Sequence, residues 1–252
     1  MDQIVQAGYA NRDGLTFRTP ASGTNEILAK LPPGKALGTS KIDYVVQLGQ
    51  PQVADIIRQN ALKIPSFSIR YQTSFAGVVE NGDDFVTIET SNANGDRQHL
   101  TSRFVVACDG ASSAVRKALG IPFEGYTWDD WRFLAINVKY DFGKYGYTAA
   151  SHVVDPEDWA VIVRAGRVEE NLWRIATGIR ADIPVEDIEK HVPAKLERLL
   201  PGPRPLDYEL VAVSPYWAHE RVASTFRSGR IILAGDAAHV SQVPPTSIPS
   251  IY

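Results

Sequence analysis

The sequence predicts a mixed α/β (α+β) fold in which an antiparallel sheet is inserted between two segments of a smaller domain. Two apolar strands, in "FVVACDG" and "RIILAGD", each run into a turn of small residues with an acid, and a helical pattern follows the first turn. Four aromatic-rich runs of alternating polarity separate these strands and indicate an antiparallel sheet. We therefore expect residues 1–125 and 219–252 to form one domain and residues 126–218 to form the inserted one.

The N-terminal part combines loops, short strands and one helix. Residues 1–49 are rich in Gly, Pro, Ser and Thr, and short strands are predicted within "GLTFRTP" and "DYVVQLG". A helix is predicted from Pro51 to Lys63, because apolar residues recur there at helical spacing and Pro65 ends the pattern. We expect its apolar face to be part of the core; that face consists of Val53, Ile56, Ile57, Ala61 and Ile64.

Short strands dominate the next part, up to residue 107. Asn-Gly dipeptides at 81–82 and 94–95 separate "FAGVVE", "FVTIET" and "RFVVA", which predicts a three-stranded antiparallel meander. The segment "SSAVRKALG" then begins a helix that Gly120 closes. Cys108 is the single cysteine, and its apolar neighbours predict a buried, unreactive thiol.

The inserted domain is predicted from the runs "WRFLAINVKYDF", "WAVIVR", "LWRIATGIR" and "DYELVAV". The segment "IPVEDIEKHVPAKLERLLPG" has a helical apolar face made up of Ile188, Val192, Leu196 and Leu199. Since proline lacks the N–H that a helix interior needs, we expect Pro193 to divide this helix into two short pieces. Residues 230–234 then form a short apolar strand that returns the chain to the first domain.

Composition and charge argue against several classes of protein. The chain has 252 residues, of which 44% are apolar, and its net charge of −3 is spread along the sequence rather than gathered in basic blocks. We expect no nucleic-acid partner, and no apolar run reaches the roughly 20 residues of a membrane helix. The start, "MDQIVQAGYANRDG", lacks the pattern of a secretion signal, so we expect a cytoplasmic protein. The five histidines do not have the spacing of metal ligands.

The two acid turns, Asp109-Gly110 and Gly235-Asp236, are the candidates for chemistry. A strand end that opens onto a helix N-terminus offers free backbone N–H groups, which suit a phosphate. An Asp at such a turn accepts hydrogen bonds from sugar hydroxyls, and a neighbouring glycine lets a ligand approach the backbone. Either turn alone is an ordinary chain reversal, but the two together predict an extended nucleotide ligand.

The same turns resemble two fingerprints of the FAD-dependent aromatic-ring monooxygenases, the p-hydroxybenzoate hydroxylase-like flavoproteins. The segment "DGASSAVRKALGIPFEG" is similar to one fingerprint, and its matching residues are Asp109, Gly110, Ser113 and Arg116. The segment "RIILAGDAAH" is similar to the other, and its matching residues are Gly235, Asp236, Ala237, Ala238 and His239. "LGQPQVADII" resembles the family's helix that opens with a glutamine, here Gln50. The resemblance covers most of residues 50–244.

The resemblance implies a fold, a cofactor and a reaction. The fold would be a partial Rossmann-like FAD-binding domain with an inserted substrate-binding sheet. In the family, the residue matched by Asp236 binds the ribityl or ribose hydroxyls of FAD, the residue matched by Gln50 lies along the cofactor, and the turn matched by residues 109–110 touches FAD and NAD(P)H. With FAD, NADH or NADPH, and O2, such an enzyme hydroxylates a phenolic or other small aromatic substrate in a mostly apolar pocket. No catalytic acid or base is identified.

The sequence departs from the family's pattern in three places. The family's first fingerprint is a Gly-x-Gly-x-x-Gly that holds the pyrophosphate, and no two glycines here are two positions apart. After Asp236 the family continues into a glycine-rich flavin loop, whereas "VSQVPPTSIPSIY" leaves that pattern around Pro245. Ser112 stands where the family has a charged side chain. We therefore expect a fragment of the family's fold with weakened FAD binding, because charged contacts to phosphate contribute roughly 1.5 to 3 kcal/mol each.

Two other interpretations are open at this point. One is a non-catalytic remnant or binding module of the same fold, which would fold without oxidising NAD(P)H. The other is a serine hydrolase, because "GASSA" at residues 110–114 lies between a strand and a helix, as a nucleophile elbow does. Asp236 and His239 would then complete a triad around Ser112. Ala114 replaces the second glycine of that elbow.

Overall fold

The computed structural model of the chain describes residues 2–33, 44–166 and 168–241. In these ranges the α-helices are α1 (Asp2–Ala7), α2 (Gln50–Ala61), α3 (Ala114–Ala118) and α4 (Ile188–Leu199). The strands are β1 (Tyr9–Asn11), β2 (Leu15–Arg18), β3 (Ile27–Leu31), β4 (Val45–Gln47), β5 (Thr73–Asn81), β6 (Val86–Asn92), β7 (Arg97–Ser102), β8 (Val105–Ala107), β9 (Phe123–Lys139), β10 (Ala150–Val153), β11 (Ala160–Arg164), β12 (Leu172–Arg180), β13 (Glu209–Ala223), β14 (Arg227–Ser228), β15 (Ile231–Leu233) and β16 (His239–Ser241). The predicted departure around Pro245 lies outside the described residues.

The chain divides into two compact units. The first comprises Met1–Phe67 and Asp129–Trp217, and the second comprises Ser68–Trp128 and Ala218–Tyr252. Strands β9 and β13 run through the division and contribute residues to both units. The three-part domain division of the sequence analysis stays a prediction. In the structure, the first 67 residues group with the middle of the chain.

The first unit is a large sheet with a helix packed on it. Its strands follow the order β13, β9, β12, β11, β10, β2 and β3, and β9, β12 and β11 pair antiparallel as the aromatic-rich runs predict. Strands β10 and β2 pair in parallel. The buried side chains of the sheet, such as Ile136, Trp173 and Ile175, form one cluster with Val192 and Leu196 of α4. The core of this unit therefore lies between α4 and the sheet.

Helix α4 is continuous although Pro193 lies inside it, so the predicted division into two pieces is wrong. Proline in a helix interior costs about 3 kcal/mol or more. Burying an aliphatic side chain contributes roughly 1.5 to 3 kcal/mol, and the apolar face of α4 is almost completely buried. Packing against the sheet thus outweighs the lost backbone hydrogen bond.

Helix α2 forms within two residues of its predicted position, but its apolar face is not core. No residue of α2 is buried, and the side chain of Ile57 is 59% exposed. The prediction that this face belongs to the core is wrong. Helical spacing identifies which face is apolar, whereas burial depends on a partner that the local sequence does not specify.

The second unit contains two small sheets. Strands β5, β6 and β7 form the predicted antiparallel meander, but its third strand is Arg97–Ser102 rather than "RFVVA". The prediction of the third strand is wrong. Strand β7 is polar and mostly exposed, so its sequence lacks the alternation of apolar and polar residues by which a strand is predicted. "RFVVA" instead supplies β8, which pairs with β15. Cys108 is exposed rather than buried, because it lies beyond the end of β8.

Within the described ranges, none of the helices has the length and apolar character needed to cross a membrane.

Candidate functional site

The two acid turns start at the same edge of one small sheet. Strands β8 and β15 pair in parallel with Ala107 beside Leu233, and the N–H of Ala234 donates to the carbonyl of Ala107 over 2.9 Å. The carboxyl ends of parallel strands lie at one edge, which is where open α/β sheets bind ligands. The turns at 109–110 and 235–236 both leave the sheet at this edge.

Asp109 is the hydrogen-bonded acid of the first turn. Its Oδ1 accepts a hydrogen bond from Ser113 Oγ at 2.6 Å, and its Oδ2 accepts one from the N–H of Val115 at 3.2 Å. Desolvation raises the pKa of this carboxyl, but the hydrogen bonds outweigh it and hold the pKa below its ordinary value of 3.8. Gly110, next to the acid, has a φ of +82° and open space where a side chain would begin. The first turn therefore presents an oriented anion beside an accessible backbone.

Ser113 holds this turn together from inside the protein. The side chain is fully buried, and its Oγ accepts a hydrogen bond from the N–H of Arg116 at 2.9 Å, which caps α3. The same hydroxyl donates to Asp109. The family resemblance predicts that Ser113 binds the cofactor. Its contacts position Asp109, and a direct contact with a cofactor stays a prediction.

Arg116 joins the two turns. Its side chain is 4% exposed, and Nη1 donates to the carbonyl of Ala237 at 2.9 Å while Nη2 donates to the carbonyl of Ala111 at 2.6 Å. The guanidinium also lies over the ring of Phe123, 3.8 Å from its centroid. A planar group with several fixed donors suits such a bridge. Sequence reasoning missed this bridge, because backbone carbonyls as partners have no residue-type signature.

The second turn presents an exposed carboxylate, that of Asp236. Asp236 is exposed, and in the described part of the chain no hydrogen bond reaches its side chain. Gly235 has a φ of +56° and nothing within 4 Å of where a side chain would begin. Behind it, the buried Ala238 donates its N–H to the carbonyl of Gly235 over 2.9 Å. A fixed backbone thus carries an acceptor that is available to a ligand hydroxyl.

The remaining predicted site residues have fewer contacts. His239 lies opposite Val222 at the start of β16, and its exposed ring is 6.4 Å from the ring of Phe226. Gln50 is the first residue of α2 in the first unit and has an exposed side chain, so its place along a cofactor stays a prediction. The structure brings together, around one sheet edge, Asp109, Gly110, Ser113, Arg116, Gly235, Asp236 and Ala237.

The triad of a serine hydrolase is not formed in the ranges that the structure describes. Ser112 is exposed, and no hydrogen bond in those ranges joins it to His239 or Asp236. The serine that contacts an acid is Ser113, which is fully buried. A serine nucleophile needs a base within hydrogen-bond reach, and this turn does not supply one.

The geometry fits one part of a dinucleotide. The open left-handed glycines give a ligand access to the backbone, and Asp236 offers a free acceptor. A Gly-x-Gly-x-x-Gly phosphate cradle is absent from the sequence. Two carboxylates at one edge would also repel a pyrophosphate at close range. The turns therefore suit the sugar or polyol hydroxyls of such a ligand. No group of three His, Cys, Asp or Glu side chains among the described residues is arranged to hold a metal ion.

Known proteins of similar sequence include monooxygenases by name. A family described as "FAD binding domain" matches residues 2–247. The chain is 39% identical over 220 residues to para-nitrophenol 4-monooxygenase of Pseudomonas sp. (strain WBC-3), which covers 87% of this chain and 53% of that protein. It is 32% identical over 205 residues to 6-hydroxy-3-succinoylpyridine 3-monooxygenase HspB of Pseudomonas putida (strain DSM 28022 / S16), with 81% and 50% covered. The chain spans about half the length of these curated relatives.

Solved structures share the fold. The crystal structure of p-nitrophenol 4-monooxygenase PnpA from Pseudomonas putida DLL-E4 matches with a TM-score of 0.87 at 36% identity, over 96% of this chain and 59% of that chain. The flavin-dependent monooxygenase PieE, solved with FAD and substrate, matches with a TM-score of 0.72 at 20% identity, over 90% and 41% of the two chains, and this likeness concerns the fold alone. The predicted mixed α/β fold is confirmed.

Proposed function

Because this chain belongs to the FAD-dependent aromatic hydroxylases, the family of the FAD binding domain, we propose that it binds FAD for the hydroxylation of a small aromatic compound. The electron donor would be NADH or NADPH, and the oxidant O2. The observation that carries the proposal is the pair of acid turns at the ends of β8 and β15, joined by Arg116. This pairing gives one ligand two acceptors and two open stretches of backbone at one edge.

Asp236 is the proposed partner of the ribityl or ribose hydroxyls of FAD. Its carboxylate is exposed and has no hydrogen bond from the described protein, so it loses no internal contact when a ligand arrives. Gly235 allows the ligand to reach the backbone, and Ala237 and His239 continue the turn. A hydrogen bond to a charged group contributes roughly 1.5 to 3 kcal/mol.

The first turn is proposed as the second contact with FAD and NAD(P)H. Asp109 is oriented and ionised, and Gly110 leaves room beside it. Ser113 and Arg116 act through these residues by holding the turns in place. Gln50 is proposed to lie along the cofactor, as the family resemblance implies.

Bound FAD would supply the redox chemistry, in which NAD(P)H provides two electrons, one oxygen atom of O2 enters an aromatic ring and the other is released as water. The carboxylates of this chain bind and orient FAD by accepting hydrogen bonds from its hydroxyl groups at the edge of the β8–β15 sheet. The relatives named above act on p-nitrophenol and a hydroxypyridine by their names, and we propose a hydroxylated aromatic ring as the substrate class. The cytoplasm is the proposed compartment, because NAD(P)H is supplied there.

The test is a titration of the purified chain with FAD, followed by flavin fluorescence, for the natural sequence, Asp236→Ala and the control Asp84→Ala. Asp84 is also exposed and lies in the same unit, in the loop between β5 and β6. We expect saturable binding that Asp236→Ala weakens about tenfold or more, which is about 1.4 kcal/mol, and that Asp84→Ala leaves unchanged. Equal effects of the two substitutions, or no binding by folded protein, would contradict the proposal.

A second measurement separates a hydroxylase from a binding module of the same fold. NAD(P)H oxidation is followed in the presence of FAD and a panel of phenols. We expect oxidation that depends on both FAD and the phenol. Saturable FAD binding without NAD(P)H oxidation in the presence of any of the phenols would support the binding module and overturn the hydroxylase.

A further inference from the structure

The first unit contains a cavity of about 290 Å³ that none of the acid-turn residues lines. It lies between α4, the strands β9 and β12, and the residues that precede β11. Leu134, Ile179 and Ile183 form its apolar wall, and Leu134 is almost completely buried. A small ligand in this cavity would therefore contact the core of the unit.

Trp131 also lines this cavity, and its ring differs from those of the other four tryptophans. Each of the others has a partner ring or a guanidinium against it, in the pairs Trp128 with Tyr126, Trp159 with Phe133, Trp173 with Phe142, and Trp217 with Arg132. Among the residues that the structure describes, Trp131 has neither kind of partner. Since aromatic rings pack favourably on one another, the indole of Trp131 is available to the ring of a ligand.

Two parts of the cavity wall are held in place by the protein itself. A side chain at Gly178 would begin 3.0 Å from Cε3 of Trp131 and 2.6 Å from Cζ2 of Trp159, so this glycine lets the indole of Trp131 lie against β12. On the neighbouring segment, Nη1 of the buried Arg132 donates to the carbonyl of Ile183 at 2.9 Å. A ligand therefore does not have to order these parts of the wall when it binds.

The charged groups around the cavity balance one another. With histidine counted as neutral, the lining has three cations and two carboxylates, and a further carboxylate pairs with the third cation; they are Lys195, Arg198, Arg180, Glu157, Asp158 and Asp182. Both oxygens of Asp158 are used, since Oδ1 accepts from Nζ of Lys195 at 3.0 Å and Oδ2 from Nε of Arg198 at 2.7 Å. An ion of either sign would lose hydration in the cavity without gaining a net attraction.

We propose that this cavity binds one small uncharged aromatic compound, whose ring packs against Trp131 and the apolar wall. The volume is close to the lower end of the range for small-molecule pockets, about 300 Å³, so a single substituted ring suits it. The balanced charges disfavour a carboxylate or an amine. This site goes beyond the proposed FAD function and does not depend on it.

The test uses 4-fluorobenzyl alcohol as the probe, with 4-fluorobenzoate and 4-fluorobenzylamine as its anionic and cationic analogues. The fluorine NMR shift of each compound is followed in titrations of the whole chain. We expect the alcohol to bind saturably with one site per chain and both charged analogues to bind at least about tenfold more weakly. A charged analogue that binds as tightly as the alcohol would overturn the proposal, as would no binding of the alcohol by folded protein at about 10 mM.

Two pairs of variants locate the bound probe. Ala194→Phe adds a ring at the cavity wall, and Ala54→Phe makes the same change on the exposed surface of α2. Trp131→Leu removes the proposed ring partner, and Trp128→Leu removes a tryptophan from the second unit. We expect Ala194→Phe to abolish binding of the alcohol, Trp131→Leu to weaken it about fivefold or more, and both controls to leave it unchanged.

Unchanged binding in Ala194→Phe or in Trp131→Leu would place the probe elsewhere, for example at an aromatic substrate site, and would overturn the proposal. Either pair decides the question if a member of the other does not fold. FAD titrations of the same variants distinguish this outcome from failure of the FAD proposal, because none of the changes lies in the acid turns.

Discussion

The two units of the chain differ in how well each buries its own apolar surface. In the first, α4 covers a large sheet, and Trp173, Phe142 and Leu196 are fully buried there. In the second, a smaller cluster forms around Val86 and Ile231, and Val106 of strand β8 is 57% exposed. The acid turns belong to the unit with the smaller core. Their geometry therefore depends on polar contacts, those of Arg116 and Asp109 above all, more than on burial.

The largest expected effect is on the core of the first unit. Trp173→Ala should lower its free energy of unfolding by about 3 to 5 kcal/mol, because the side chain is 1% exposed and its removal leaves a cavity. Ile57→Ala, on the exposed face of α2, should cost less than about 1 kcal/mol. Urea denaturation measures both. If the two substitutions cost the same, the first unit does not depend on the core described above.

Arg116→Met is expected to have the next largest effect, on the second unit. It leaves the carbonyls of Ala111 and Ala237 without their charged donor, which should cost about 2 to 3 kcal/mol. Lys117→Met, exposed on the same helix, should stay within about 0.5 kcal/mol of the natural sequence. The stabilities are compared by urea denaturation, and amide hydrogen exchange at Ala234 and Ala238 localises the loss. Equal stability of the two variants would mean that Arg116 does not hold the turns.

Gly235→Ala isolates the backbone of the second turn. Gly235 has a φ of +56°, and nothing lies within 4 Å of where a side chain would begin. The substitution should therefore lower the free energy of unfolding by about 1 kcal/mol, through the left-handed conformation alone. Gly77→Ala is the matched control, because its surroundings are also open and its φ is not positive. Thermal unfolding distinguishes them. A Gly235→Ala variant as stable as Gly77→Ala would show that the turn tolerates another conformation.

Asp109→Asn is expected to have the smallest effect, and that effect depends on pH. The pKa of Asp109 in the folded protein lies below its ordinary 3.8, so the charged form stabilises the fold above that value. This contribution is lost as the pH falls through the lowered pKa. The side chain is exposed, so solvent limits the difference at neutral pH to about 0.5 kcal/mol. Urea midpoints of the variant and the natural sequence should converge as the pH falls through the lowered pKa of Asp109. A difference that grows toward low pH would contradict the hydrogen bonding described here.

Local patterns in the sequence predicted helix α2, both acid turns and the strands β2, β4, β9, β11, β12 and β13 of the first unit, because spacing and turn residues are local signals. They missed the short strands β1, β3 and β10. They did not predict that Pro193 lies within a continuous helix or that Ile57 is exposed, since both depend on partners distant in sequence. For the candidate site, the resemblance located Asp109 and Asp236. The bridge made by Arg116 was missed because its partners are backbone carbonyls.

The most direct test of the central claim, that the two acid turns form one FAD site, is a calorimetric FAD titration of the natural sequence, Asp236→Ala and Asp109→Asn side by side. Lys117→Met serves as the control for a charge change near the first turn. We predict one FAD per chain and a weaker affinity for the same binding event in both acid variants, with the larger loss in Asp236→Ala. FAD binding that neither substitution weakens would contradict the claim.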